Sequence, residues 1–531
     1  MGFYLPCKED GLTFVFLVIN QMGVHFLNIF VIFFAISGIT ILNEYSYFYS
    51  CTCSNQFQAM KKWILLCIGW LPAALIAQQI IASEELPLRN DVAYEVIGNL
   101  KGKVLLFRDQ TTNFEIQAFD EQMKLSWSKD LELDKKTPKV LSIAPFANHF
   151  TILYRFRQRN HVVLKAHKYD PAANLKDSVT IKDYGFLFYT PNFEVIQSED
   201  KSKMLVYYVE NQQTFHMLAF DAIEMKLLWE QSFTPNEFSF WEEFTQMLIS
   251  NEGKAYAIIS KNRFRAKKEN PFFDIHEFSA QGGYKFGVTF QTFSIYDISF
   301  AFDNMNSRLT AAGFYAEKNL ERAAGYFYLS LSPDAPDTPV MYFEPFDDEL
   351  VTNLMGKTVE NNKGITEIAV KELVLRRDGG LLMIAERNRQ LERRLGSNNR
   401  VFFDNGTRYI VDYYYDELLV ISFHPDGKTH WKTILHKKQY SQDDDGIYSS
   451  FFLFKSPGNL RLIYNDEIRY ENTVSEYVVY GDGKFDRKSL LSTENLEMRL
   501  RFRDATQVSA SAVIIPSERR SRLRLVRLEY E

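Results

Sequence analysis

Three stretches of the chain repeat one phrase: Ile116–Trp127 reads IQAFDEQMKLSW, Met217–Trp229 reads MLAFDAIEMKLLW and Val420–Trp431 reads VISFHPDGKTHW. Each is an alternating apolar strand, a polar turn, and a Lys three residues before a Trp, so each reads as a β-hairpin carrying an aromatic at a fixed place. A chain that repeats a hairpin buries it by stacking the copies, and radial stacking makes a β-propeller. Weaker copies at Leu164–Asp170, Ile275–Ala280, Tyr326–Leu331 and Tyr477–Gly483 fall between or beyond the clear ones. From Ala118 the matching positions recur at 167, 219, 278 and 328, in steps of 49, 52, 59 and 50 residues. Four short antiparallel strands and their turns fill that length, which is one blade.

Further units near Phe423 and Val479 and a last strand at Leu523–Tyr530 bring the count to eight blades, with seven as the alternative. After the seventh unit, Glu497–Phe502, Val508–Ile515 and Leu523–Tyr530 supply only three strands, whereas Gln79–Leu86 precedes a first blade already complete in Val96–Leu133. An N-terminal strand joining the last blade would remove the open edge. The expected fold is therefore all-β, a single propeller domain over 78–531. A pair of β-sandwiches is the rival, and a period sustained over about 440 residues fits it poorly.

The front of the chain has another character. Met60–Ala77 reads MKKWILLCIGWLPAALIA, the charged start, apolar stretch and small-residue end of a secretory signal peptide. Residues 1–59 are then either an over-extended start or a true membrane segment, because Leu12–Leu42 is uncharged and long enough to span a bilayer. A periplasmic or extracellular location is expected after cleavage, and membrane anchoring if 12–42 is retained. All four cysteines, Cys7, Cys51, Cys53 and Cys67, precede residue 78. A mature chain so cleaved has no disulfide, thiolate zinc site or cysteine nucleophile. It carries 58 basic and 64 acidic residues, which argues against nucleic acid as the main partner.

With strands named A to D from the axis outward, the B–C loops and D–A crossovers share one face and the A–B and C–D turns the other. The long segments fall mostly on the first: Lys261–Pro271 and Asn388–Asp404 as B–C loops, and Thr234–Glu243, Phe346–Gly364 and His436–Gly446 as crossovers. Loops on a rigid scaffold are where binding is usually placed. The densest polar stretch is His436–Tyr448, HKKQYSQDDDGIY, beside Glu386 at the end of a B strand. Glu386, Arg387, Lys437, Lys438, Gln439 and Tyr448 are the candidate binding residues, the cations suiting a carboxylate or sulfate. Asp443, Asp444 and Asp445 before Gly446 are weak candidates for calcium, since their adjacency departs from the alternating ligand loop and suits a solvated turn.

Other features read as structure. The basic runs Lys261–Lys268, Arg387–Arg400 and Arg519–Arg527 suit solvated loops and strand faces. His424 and His430 flank a turn without a nearby third ligand. Trp127, Trp229 and Trp431 recur as inter-blade packing would require. No Gly-x-Ser-x-Gly, phosphate loop or His-Glu-x-x-His occurs. The expected function is an exported, non-catalytic scaffold binding a protein or glycan through the loop-rich face. A carbohydrate-active enzyme using carboxylates on that face is the alternative.

The phrase Ala-Phe-Asp, turn, Lys-x-x-Trp resembles the quinoprotein-alcohol-dehydrogenase-like repeat, which implies an eight-bladed propeller. The resemblance does not extend to the quinone cofactor (PQQ), because the adjacent cysteine pair of those dehydrogenases has no counterpart after residue 77; no cofactor is expected. Arg377–Glu386 (RDGGLLMIAE), Tyr414–Val420 (YYDELLV) and Asp426–Ser450 are similar to segments of exported, uncharacterised propeller proteins of Bacteroidetes bacteria.

Overall fold

The computed structural model describes residues 79–111, 113–134, 138–261, 271–290, 293–317, 320–356, 364–394, 409–468, 473–493 and 498–530. The expected signal segment Met60–Ala77 and the apolar run Leu12–Leu42 lie outside these residues. No helix among the described residues is long and apolar enough to cross a membrane.

Eight antiparallel sheets follow one another along the chain. Blade 1 occupies 93–131, blade 2 139–186, blade 3 194–233, blade 4 244–289, blade 5 294–345, blade 6 368–435, and blade 7 452–492. Blade 8 takes three strands from 506–529 and its outer strand, Gln79–Ala82, from the opposite end of the described chain. Gln79 pairs with Glu529 and Ala82 with Val526, the closure expected from the two ends. The inner strand of blade 8 differs from expectation. It is only Thr506–Gln507, and Phe502–Asp504 forms a 3-10 turn instead of ending a strand at 497–502.

Strand alternation puts apolar side chains on both faces of each blade, and the core is the set of layers between blades. Ile97, Phe107 and Ile116 of blade 1 pack with Ile152, Tyr154 and Tyr169 of blade 2. Corresponding clusters join each later pair. Leu86, Leu523 and Leu525 meet Val96, Leu106 and Phe119, so the last interface joins blade 8 to blade 1 and the ring is closed.

Around the axis, side-chain amides and a carboxylate brace neighbouring blades. Gln246 donates to the Phe300 carbonyl and accepts from its amide, both at 2.9 Å. Gln507 does the same to Lys455 at 2.8 and 3.1 Å, and Asp297 accepts from the Val370 amide at 2.7 Å.

The repeated phrase also acquires a physical meaning. Asp120 Oδ1 accepts the amides of Gln122 and Lys124, both at 2.9 Å, which bends the C–D turn so that Met123 takes φ 55°. Asp170 binds Ala172 and Asn174 identically, with Ala173 at φ 55°. Gly427 and Gly483 hold the equivalent positive-φ positions in blades 6 and 7, where any side chain would also strike a neighbouring ring. Trp229 donates to the Gly253 carbonyl at 2.8 Å and Trp431 to that of Gly481 at 2.9 Å, each on the next blade.

Candidate functional site

Blade 6 breaks the pattern of its neighbours. Its B and C strands, Leu381–Arg394 and Tyr409–Phe423, run 14 and 15 residues, where a strand of five or six is usual. Past a bulge between Glu386 and Asn388 the two strands continue paired beyond the blade, from Asn388 with Tyr415 to Arg394 with Tyr409. The crossover to blade 7 adds a third strand, Gln439–Gln442, pairing Tyr415 with Gln439 and Asp412 with Gln442. A three-stranded ledge thus rises on the loop-rich face. The stretch from Asn388, expected as loop, is therefore strand as far as Arg394; 395–408 and 262–270 lie outside the described residues.

Cross-strand partners share a face. Arg389, Leu391, Arg393, Tyr414 and Tyr440 accordingly lie on one side of the ledge. The Arg389 guanidinium sits 4.4 Å from the Tyr414 ring centroid, and that ring lies 5.2 Å from Tyr440. Arg393 forks onto Asp412, which also accepts from the Tyr440 hydroxyl at 2.8 Å. These contacts join the side chains into a guanidinium–aromatic surface, and Leu391 is 43% exposed upon it.

Beneath the ledge lie three of the expected binding residues. Glu386 and the Lys437 side chain are wholly buried, with Lys437 Nζ 2.7 Å from Glu386 Oε1. Lys437 also donates to the Tyr415 carbonyl at 3.1 Å and to Gln439 Oε1 at 2.9 Å. Burial holds the Lys437 ammonium below the usual lysine range, against the pull of Glu386. Gln439 spends both donors on the carbonyls of Asn465 and Ser450 and accepts from the Ser450 amide. Ser450 in turn donates to Glu386 Oε2 at 2.8 Å. This node ties blade 6, its crossover and blade 7 together.

The other expected residues are dispersed around it. Arg387 is half-buried, donating to the Leu354 carbonyl at the end of helix Asp348–Met355 and pairing with Glu417 at 3.1 Å. Tyr448 is buried, its hydroxyl donating to the Glu518 carbonyl and its ring 4.5 Å from the Arg499 guanidinium carbon. Lys438 is exposed. The three aspartates turn to different donors: Asp443 to the Val411 amide, Asp444 to the Gly446 amide and Asp445 to the Tyr413 hydroxyl. Among the described residues no group of three or more His, Cys, Asp or Glu is arranged to hold a metal ion. His424 and His430 are neighbours, their rings 4.5 Å apart.

On the same face, where blade 8 meets blade 1, Tyr94, Glu95, Arg501, Asp504 and Glu518 line a cavity of about 640 Å³. Glu95 keeps an exposed face in this cavity, and desolvation by the protein around it raises its carboxyl above the usual range. Sequence reasoning missed both Glu95 and the outer ledge. The run YIVDYYY at 409–415 carried the ledge's signal, since its length and β-propensity exceed what one blade needs.

No family model matches the chain, and no curated protein does. Solved structures do resemble it. The protein Sqt1 of Saccharomyces cerevisiae aligns with a TM-score of 0.41 at 9% identity, over 84% of this chain and 98% of that one. The β-propeller domain of the Trilobed protease from Pyrococcus furiosus aligns at 0.35 and 11%, over 75% and 98%. A protein of unknown function from Bacteroides caccae aligns at 0.27 and 13%, over 64% and 93%.

Proposed function

We propose that this chain is an exported binding scaffold whose partner, a protein or a glycan, docks on the ledge of blade 6. The observation that carries the reading is the ledge itself: two strands lengthened past their blade, a third added to them, and a buried ionic node beneath. A blade does not need that extension to close a ring, and the surface it presents pairs Arg with Tyr, the residues that dominate binding hot spots. The signal-like segment Met60–Ala77 supports export.

The test compares the wild-type protein with a variant carrying Arg389→Ser, Tyr414→Ser and Tyr440→Ser, by capture from the producing cells and on a glycan array. The variant should lose the captured species at least tenfold while keeping its melting temperature within a few degrees. Equal capture by both proteins rejects the ledge. Glycan turnover that disappears on Glu95→Gln would replace this reading with the enzymatic one, for which the cavity lined by the carboxylates of Glu95, Asp504 and Glu518 is the supporting feature.

A further inference from the structure

Arg519–Arg527 reads in sequence as a solvated strand face, but folding gathers its arginines. The strands Ala512–Arg519 and Arg522–Glu529 turn through Arg520 and Ser521, both at positive φ, so that Arg519 pairs with Arg522. Leu86–Pro87 pairs with the same hairpin and brings Glu85 and Arg89 beside it. Together they line a cavity of about 570 Å³ containing Arg89, Arg519, Arg520, Arg522, Arg524 and a single carboxylate, Glu85.

Glu85 is engaged by both Arg522 and Arg524, the latter at 2.8 Å. Those arginines hold its carboxyl below the usual range, the Arg522 hydrogen bond contributing most. Arg89 and Arg520 are exposed, with no hydrogen-bond or ion-pair partner among the described residues. The lining thus carries four more positive charges than negative. Like charges gathered on one lining repel one another. An arrangement of this kind gains from an anion that bridges it, and guanidinium forks match carboxylate, sulfate and phosphate oxygens.

We infer that this cavity is a binding site for a small polyanion carrying two or more oxyanion groups. Arg522 and Arg524 already share one carboxylate, that of Glu85, which leaves Arg89 and Arg520 as two separate forks for the anionic groups of a ligand. The cavity has the volume of a small molecule rather than of a nucleic-acid track. The proposal is independent of the ledge, which uses other residues on another blade.

Titration calorimetry with citrate, tripolyphosphate and a sulfated disaccharide tests it and separates carboxylate, phosphate and sulfate as the preferred group. Saturable binding of at least one probe is expected, weakened tenfold or more in Arg89→Gln/Arg520→Asn. Glu85→Gln should tighten binding severalfold, a gain that misfolding cannot imitate. Absence of saturable binding for all three probes at 50 mM salt, or binding unchanged in both variants, overturns the proposal.

Discussion

At the scale of the residue, the Lys437–Glu386 pair sets the energetics beneath the ledge. Both side chains are inaccessible to water, so each relies chiefly on the other for compensation of its charge. Lys437→Met alone is expected to cost about 3 kcal/mol in urea unfolding, because it leaves the buried Glu386 with only the Ser450 hydroxyl and the more distant Lys371 ammonium at 3.9 Å. The double variant Glu386→Leu/Lys437→Met should be more stable than that single variant, and strict additivity would contradict the account. His167 gives a second residue-scale prediction. It lies between the hydroxyls of Tyr154 and Tyr169 at 2.8 and 2.9 Å, and burial lowers its pKa from 6.5 to about 4. The unfolded chain therefore takes up a proton below about 6.5 that the folded chain refuses, so stability is lost as the pH falls toward 4, by about 3 kcal/mol from this group. His167→Gln should flatten that part of the pH–stability curve. An unchanged slope would show that His167 does not carry it.

At the scale of the element, the strand Gln79–Ala82 and the short strand Leu86–Pro87 close the ring. Deleting 79–88 would expose the hydrogen-bonding edge of Arg522–Glu529 and remove Leu86 from the last core layer. A clear fall in melting temperature with increased aggregation is expected in scanning calorimetry, and an unchanged transition would refute closure by this strand. This element was legible in the sequence because a blade one strand short implies a donor elsewhere. The repeated hairpins were legible because Asp120, Asp170 and Asp221 each cap their own turn, a local rule that leaves a local trace. The inner strand of blade 8 was not, since two residues of ladder, completed by Gln507 bonding to Lys455, carry no periodicity. The ledge was hidden for the opposite reason: Asn388–Arg394 is polar except for Leu391, as a loop would be, and only pairing with Tyr409–Tyr415 makes it strand. Likewise the burial of Glu386, Lys437 and Gln439 depends on a bulge and a crossover strand that join distant parts of the chain, which no single stretch announces.

At the scale of the whole molecule, antiparallel geometry sorts the ring into two unlike faces. Gln79 and Glu529 pair at the C–D end of blade 8, so both ends of the described chain lie on the face of short turns. The ledge, the helix-bearing crossovers and the two cavities near blade 8 lie on the other. The most direct test places a photo-cross-linker at Arg389 or Tyr440 on the ledge, and in separate proteins at Ile223 or Met305, which are 39% and 68% exposed on the turn face. Partner adducts from the ledge positions alone are the predicted result. Adducts from Ile223 or Met305 with none from Arg389 or Tyr440 would contradict it.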